Sequence, residues 1–538
     1  MHRISMPPRA AVAFVVPLSL LFAAMPMAHA VPFNIADGDT STVSQEVTGT
    51  DAGIVGNGAT LETSDDAIVW SGPSAAPGVS ITNSGRIIST DDRAIDTSGG
   101  NSTRNITVTN NAGALIQGDG DAFRINVDIG SSTVIVDNSG EIFSQTGQAI
   151  DFNSIDSTAG TVSITNAAGG LIRATEADAM RPGQNATVDN AGIICSGDFS
   201  GGVCAGGEAD ENHDGVDWQD HTGTLINRTG GLISGAHHGT TSDVDVDVTN
   251  EAGATIIGRN GSGVGSDGDG TVVNFGTITG TIDDFSTDGD GDGVDIDNLA
   301  NITNHGTIQG LGAKGDNDGK PNSADGIAIG GGVIDNKSGA VIFGGANGIL
   351  ADDSGLGGAP NATQLTNAGS IEGQDGFGVR IVGAQDDTVV NSGSITGSVM
   401  ALDLGGGDDL LQLDTGSVIN GISDGGDGFD TMDVLGIVTL GEAINFELLR
   451  LGADALLTLA ADLRVEELVG LDIAGNDIVN LVGSFDLVYD TSAAANAYLG
   501  GRSFQLTGGG TLRGVPEPAT LALLGMGLLG LGALRRRA

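Results

Sequence analysis

Between residues 79 and 397 one short unit recurs, and a chain built from a recurring unit of this length folds by stacking the copies, not around a single globular core. Its anchor is an Asn followed by Gly and then Ile. Seven copies read N-x-G-x-I, beginning at Asn83, Asn138, Asn190, Asn274, Asn304, Asn367 and Asn391, and five read N-x-x-G-x-x-I, beginning at Asn110, Asn166, Asn227, Asn250 and Asn336. Successive anchors lie 23 to 37 residues apart. The position two before the anchor is aliphatic in all twelve copies, from Ile81 and Val108 to Leu365 and Val389, and polar residues alternate with these positions as they do in strands with one buried face. A third element follows in most units: a polar residue, then Ala or Gly, then an apolar residue, as in Asp66-Ala67-Ile68, Asp121-Ala122-Phe123, Gln148-Ala149-Ile150 and Asp325-Gly326-Ile327.

Three short strands per turn predict an all-β fold, a right-handed parallel β-helix (β-solenoid), the hand being the default for parallel crossovers. At about 4.8 Å per coil, twelve units predict a rod about 60 Å long before its capping coils. The anchor Asn is expected to bond its equivalents in neighbouring coils, and the Gly to supply the positive φ of the turn. Residues 79–400 are the repeats. Residues 31–78 read as a degenerate N-terminal capping coil, 401–435 as Gly/Asp-rich coils, and Leu-rich 436–511 as a C-terminal cap that protects the open end from edge pairing.

With 21 Lys plus Arg against 69 Asp plus Glu, the net charge of -48 excludes nucleic acid and anionic headgroups as partners and favours cations. The first thirty residues carry Arg3 and Arg9 before an apolar stretch at 11–24 and a small-residue site ending at Ala30, which reads as a signal peptide (1–30) for the Sec translocon, cleaved after Ala30. Cys195 and Cys204 are the only cysteines; in an exported chain they are expected to form a disulfide that pins one loop.

The chain ends with Val515, Pro516, Glu517 and Pro518, an apolar run at 519–534, and then Arg535, Arg536 and Arg537. This segment, 515–538, resembles the PEP-CTERM sorting signal. The resemblance implies recognition by an exosortase, cleavage near Pro-Glu-Pro, and delivery to the cell envelope, outer surface or extracellular matrix. As a helix the apolar run reaches about 24 Å, marginal for a bilayer, so it serves as a transient or permanent membrane tether. The repeats and the Leu-rich end also resemble autotransporter passenger domains, although the chain lacks that family's C-terminal translocation barrel.

Three acidic segments alternate oxygen ligands around glycines, as Ca²⁺ requires: Asp210, Asn212, Asp214 and Asp217; Asp288, Asp290, Asp292 and Asp295, with Asp297; and Asp316, Asp318 and Asp325. Leu299 stands where an EF-hand has its bidentate Glu, so that motif is rejected and a looser calcium loop is weighed against solvated acidic turns. The stretch 425–433, with Asp427 and Asp430, resembles the repeats-in-toxin calcium nonapeptide. An imperfect copy occupies 405–412, and the distance between the copies argues for weak binding. Calcium is the one cofactor expected.

The most enzyme-like patch is His213, Asp214, Asp217, Trp218, Asp220 and His221, with His237 and His238 one coil later. Some parallel β-helices are polysaccharide lyases or hydrolases, and clustered carboxylates suit acid–base work. Against this stand a single nearby basic residue, Arg228, and only two Trp and two Tyr to stack on sugar. A third class, an ice-binding solenoid, rests on Thr before the anchor in six of twelve units, at Thr82, Thr109, Thr165, Thr249, Thr303 and Thr366. The sequence therefore supports a non-enzymatic structural or adhesive rod that contacts exopolysaccharide or cell-surface ligands, with polymer degradation as the alternative.

Overall fold

The computed structural model describes residues 33–98, 100, 102–206, 213–282, 288–317, 320–352 and 357–516. Almost all of the regular structure is β, in three long parallel sheets of 18, 15 and 16 strands, the second carrying one further antiparallel strand at Asn260–Gly261. Most coils give one strand to each sheet. Thr133–Asn138, Glu141–Ser144 and Ile150–Asp151 form one coil, and Thr161–Asn166, Leu171–Ala174 and Met180–Arg181 the next. Val134 lies over Val162, Val136 over Ile164 and Ile142 over Ile172, so each inward aliphatic stacks on its equivalent in an unbroken column. Buried aliphatics of this kind contribute about 1.5–3 kcal/mol each.

The solenoid is longer than the anchor count implies. Strands Phe33–Ile35 and Ala52–Val55 at one end, and Leu410–Leu413, Thr431–Val434, Leu448–Leu451 and Glu467–Val469 at the other, join the Asn-bearing sheet although their units lack the Asn. Eighteen strands span about 80 Å at 4.8 Å per step. Beside the last of them, Ile437–Leu440, Leu456–Leu459 and Leu481–Gly483 stack as a separate three-stranded sheet. A short 3-10 helix, Ala494–Leu499, lies against the last strand of the Asn-bearing sheet: Asn496 accepts the Leu468 N–H at 2.9 Å and donates to the Glu466 carbonyl at 2.6 Å.

The twelve anchors form one continuous amide ladder. Each Nδ2 donates to the Oδ1 of the next anchor, from Asn83 to Asn391, through eleven bonds of 2.8–3.0 Å. Nδ2 also reaches a carbonyl of the following coil, as Asn227 does to Thr255 at 3.0 Å. A buried amide carries both donor and acceptor, which lets the ladder run in one direction without leaving a group unpaired. The ladder ends where Asn391 donates to the Ser417 hydroxyl at 2.7 Å.

The anchor glycines serve two purposes, and positive φ is only one of them. In the five N-x-x-G copies the Gly is left-handed, for example Gly113 at +78° and Gly169 at +88°. In the seven N-x-G copies φ is not positive. There the backbone of the preceding coil passes so close that a Cβ on Gly306 would sit 2.1 Å from the Gly276 carbonyl oxygen, and one on Gly85 would sit 2.2 Å from that of Ala59. In these units the sequence needs Gly for close approach, not for a left-handed turn.

Candidate functional site

In several coils the acid before the third strand sits at a corner where coil meets coil. Its carboxylate oxygen accepts the backbone N–H of the equivalent residue one coil on: Asp121 from Gln148 at 3.0 Å, Asp178 from Asp214 at 2.8 Å, Asp214 from His238 at 2.7 Å, Asp292 from Asp325 at 2.5 Å and Asp325 from Asn347 at 2.8 Å. Asp214, Asp292 and Asp325, nominated above as calcium ligands, therefore hold the stack together at this corner.

On the outer side of the third sheet the N-terminal half alternates in charge. Asp96, Arg124, Asp151 and Arg181 stand in register. Arg124 meets Asp96 at 2.9 Å, and Arg181 reaches Asp178 at 2.7 Å and Asp217 at 3.1 Å. Asp178, Asp214 and Asp217 place carboxylate oxygens within 4.8 Å of one another. Burial, and then the neighbouring Asp178, pushes Asp217 up to about 6, with Arg181 opposing. Asp178 was not singled out in the sequence. Its position before Ala179-Met180, in the same slot as Asp121 and Asp214, is the signal that identifies it.

The histidine patch divides. Asp214, His237 and His238 bring ligand atoms within 4.8 Å, and the two imidazoles lie 3.8 Å apart. His238 accepts the Ser262 N–H through Nδ1 at 2.9 Å, and burial followed by the charge of His237 drives its pKa well down. His221 turns inward, its Nε2 2.8 Å from the Asn153 carbonyl. Asp220 points outward. Trp218 is core, 1 % exposed, with Nε1 donating to Thr240 at 3.2 Å. The other tryptophan, Trp70, is fully buried.

The second and third acidic segments leave the coil as excursions. Gly289–Gly291 pairs antiparallel with Gly312–Lys314, and Asp316–Asn317 with Lys320–Pro321. Together they flank a groove of about 560 Å³ beside the third sheet, lined by His237, Asp267, Asp290, Asp295, Asp297 and Asp352 among others. Asp292 and Asp295 are both held well above the usual carboxylate range by burial, then by Asp325 and Asp290 respectively. Asp288 and Asp316 are exposed at the excursion bases. Asp210, Asn212 and Asp318 lie outside the described residues.

The two nonapeptide-like stretches, far apart in sequence, lie on successive coils. Gly406 bridges Asp427 in parallel, and Asp430 Oδ1 accepts the Asp409 N–H at 2.9 Å. One full coil returns the second stretch directly onto the first.

Cys195 and Cys204 form a disulfide across the hairpin of Asp198–Ser200 and Val203–Ala205. At the other end, Thr511–Val515 is the last strand among the described residues, pairing with Leu487–Asp490, so Val515 is still part of the folded body and Pro516 follows it directly. The leader with Ala30, together with Glu517, Pro518, the run 519–534 and Arg535 to Arg537, lies outside the described residues. Among the described residues no helix is long and apolar enough to cross a membrane.

Residues 514–537 match the family model of the PEP-CTERM protein-sorting motif. That motif implies export, exosortase processing and surface anchoring. No curated protein and no solved structure matches the chain.

Proposed function

We propose that this protein is an exosortase-sorted rod of the outer surface or extracellular matrix whose work is structural or adhesive. The observation that carries the reading is the junction at Val515: the last strand of the solenoid runs straight into the sorting motif, so the tail delivers a preassembled rod by one end. Stiffness follows from three continuous parallel sheets and an amide ladder that ties twelve coils together. A surface of such high negative charge keeps the rods apart and soluble and attracts cationic or cation-bridged partners, among them acidic exopolysaccharide.

Polymer degradation draws on the acidic groove near His237. What favours the non-catalytic reading is that both tryptophans are core residues and that Asp214, Asp292 and Asp325 are engaged with backbone N–H groups. The Thr column before the anchors is likewise broken in register by Asp137, Asp189, Asp335 and Val390, which weighs against an ice-binding Thr face.

Intact mass and location of the native protein test the proposal. A species lacking residues 1–30 and the tail beyond Pro518, recovered outside the cell, is the expected result. A full-length tail retained in the inner membrane overturns the surface assignment. Shortening of acidic or neutral exopolysaccharide by the pure protein, lost in Asp217→Ala, overturns the non-enzymatic one.

A further inference from the structure

The turns entering four successive strands of the Asn-bearing sheet place one acid each at the same slot, just before the strand: Asp387 before Thr388–Asn391, Asp409 before Leu410–Leu413, Asp430 before Thr431–Val434 and Glu447 before Leu448–Leu451. One carboxylate oxygen of each is used. Asp387 accepts the Thr363 N–H at 2.6 Å, Asp409 that of Asp387 at 2.7 Å, Asp430 that of Asp409 at 2.9 Å, and Glu447 that of Asp430 at 2.7 Å.

The other oxygen of each Asp is not used. Asp387, Asp409 and Asp430 are at most 2 % exposed, and their Oδ2 atoms are sealed from solvent with no hydrogen-bond partner. The hydroxyl of Thr363, at the head of the same column, is equally sealed and unpartnered. A buried polar oxygen without a donor is costly, and a column of like charges one coil apart compounds the cost.

Elsewhere on the rod this problem is solved with arginine: Arg93, Arg124 and Arg181 reach Asp121, Asp96 and Asp178. Here the charges acting on Asp387, Asp409 and Asp430 are carboxylates, Asp386 on the first two and Asp408, Asp424 and Asp427 on the last, and no ion pair from Lys or Arg reaches the column among the described residues. Left-handed glycines at 405, 407, 426 and 428 shape the turns. The outer acids Asp386, Asp408 and Asp427 line the solvent side of the same turns.

We infer that this column is a divalent-cation site, with Ca²⁺ held between successive coils by the free oxygens of Asp387, Asp409 and Asp430. A hard cation with an irregular, all-oxygen, partly carboxylate ligand set fits Ca²⁺, whereas Mg²⁺ demands a tighter octahedron and keeps its waters. Asp409 is shared by both intervals of the column and is the decisive residue. The site runs from the last anchor-bearing coil toward the sorting end, so ion binding stiffens the segment through which the rod is tethered. This inference does not depend on the proposed function.

The test uses the mature chain stripped with EDTA and titrated calorimetrically with CaCl₂ alone at pH 8, alongside thermal melts with and without Ca²⁺. Because the acidic groove could also take up cations, the readout is the difference between the wild type and Asp409→Asn, which keeps the size of the side chain and its Oδ1 acceptor. The expected result is that Asp409→Asn binds about two fewer equivalents, loses most of the calcium-induced rise in melting temperature, and is at least as stable as wild type in EDTA. Asp477→Asn, at an exposed acid, should leave the isotherm unchanged. If Asp409→Asn does not fold, Asp387→Asn replaces it, with the loss of about one equivalent expected. An isotherm and a melting shift that match wild type in the variant, or no uptake by wild type at millimolar Ca²⁺, overturn the inference.

Discussion

Truncating one rung in the middle of the amide ladder, Asn227→Ala, probes what makes the rod continuous. Asn227 donates to Asn250 Oδ1 at 2.9 Å and to the Thr255 carbonyl at 3.0 Å, and accepts from Asn190 Nδ2 at 2.8 Å. After truncation Asn190 keeps the carbonyls of Gly192 and Leu232, at 3.3 and 3.2 Å, but Asn250 Oδ1 loses its ladder donor. A stranded buried acceptor costs about 1–3 kcal/mol, and each further lost bond about 1 kcal/mol. With the small cavity left behind, the total is about 3–5 kcal/mol. In a quasi-one-dimensional stack the damage stays local, so hydrogen exchange read by mass spectrometry is the appropriate assay. Protection in strands Ala186–Asn190, Gly223–Asn227 and Val246–Asn250 should fall by about a hundredfold or more, since about 1.4 kcal/mol is tenfold. Asn301→Ala, at an exposed position in Ala300–Asn304, is the control and should change stability by less than about 0.5 kcal/mol. Equal exchange in the two variants would refute the reasoning, because the ladder would then contribute no more than a surface amide.

The two glycine roles separate by substitution. Gly113→Ala carries only the left-handed strain at φ +78° with open space around the new methyl, about 1–2 kcal/mol, and Gly113→Asn should recover part of it. Gly306→Ala drives a methyl to 2.1 Å from a backbone oxygen and should cost about 3 kcal/mol or more, with Asn no better; equal costs at the two sites in chemical denaturation contradict this account. Stability should also depend on pH in an unusual direction. Burial, followed by the charge of Asp96, pushes Asp66 up to about 6, and Asp217 is likewise raised to about 6. Because an unfolded Asp titrates near 4, the native state binds these protons more tightly; the stability they confer is fully present below about pH 4 and is lost as pH rises through about 6. Melting temperature in EDTA should fall between pH 4 and 7, with a shallower slope in Asp66→Asn, and a rise over that window contradicts the assignment.

The strands and the ladder were legible because both live in short-range pattern. An aliphatic two residues before every anchor fixes which face is buried, and a buried Asn in each of twelve successive coils has few partners other than another Asn. The reason for the N-x-G glycines was not legible, since it depends on where the previous coil's carbonyl runs, a distance that no spacing records. The column at Asp387 and Asp409 was missed for a related reason. Excursions such as those at 289–291 and 312–314 make coil length vary, so sequence separation is a poor guide to stacking. Between 387 and 430 no antiparallel excursion interrupts the coil, and acids recur at 387, 409 and 430, intervals of 22 and 21 residues that match one coil. That regularity was present in the sequence. It becomes informative only once Thr388–Asn391, Leu410–Leu413 and Thr431–Val434 are known to be neighbours, although the last two carry no Asn.

Everything proposed for this chain rests on its being a rod, and small-angle scattering from residues 31–518, the proposed mature form, measures that directly. A stack of eighteen strands gives a maximum dimension of at least about 80 Å, with the linear cross-section regime of an elongated particle. A compact globule of the same length has a radius of gyration of about 23 Å and a maximum dimension of about 60 Å, and that result would contradict the account.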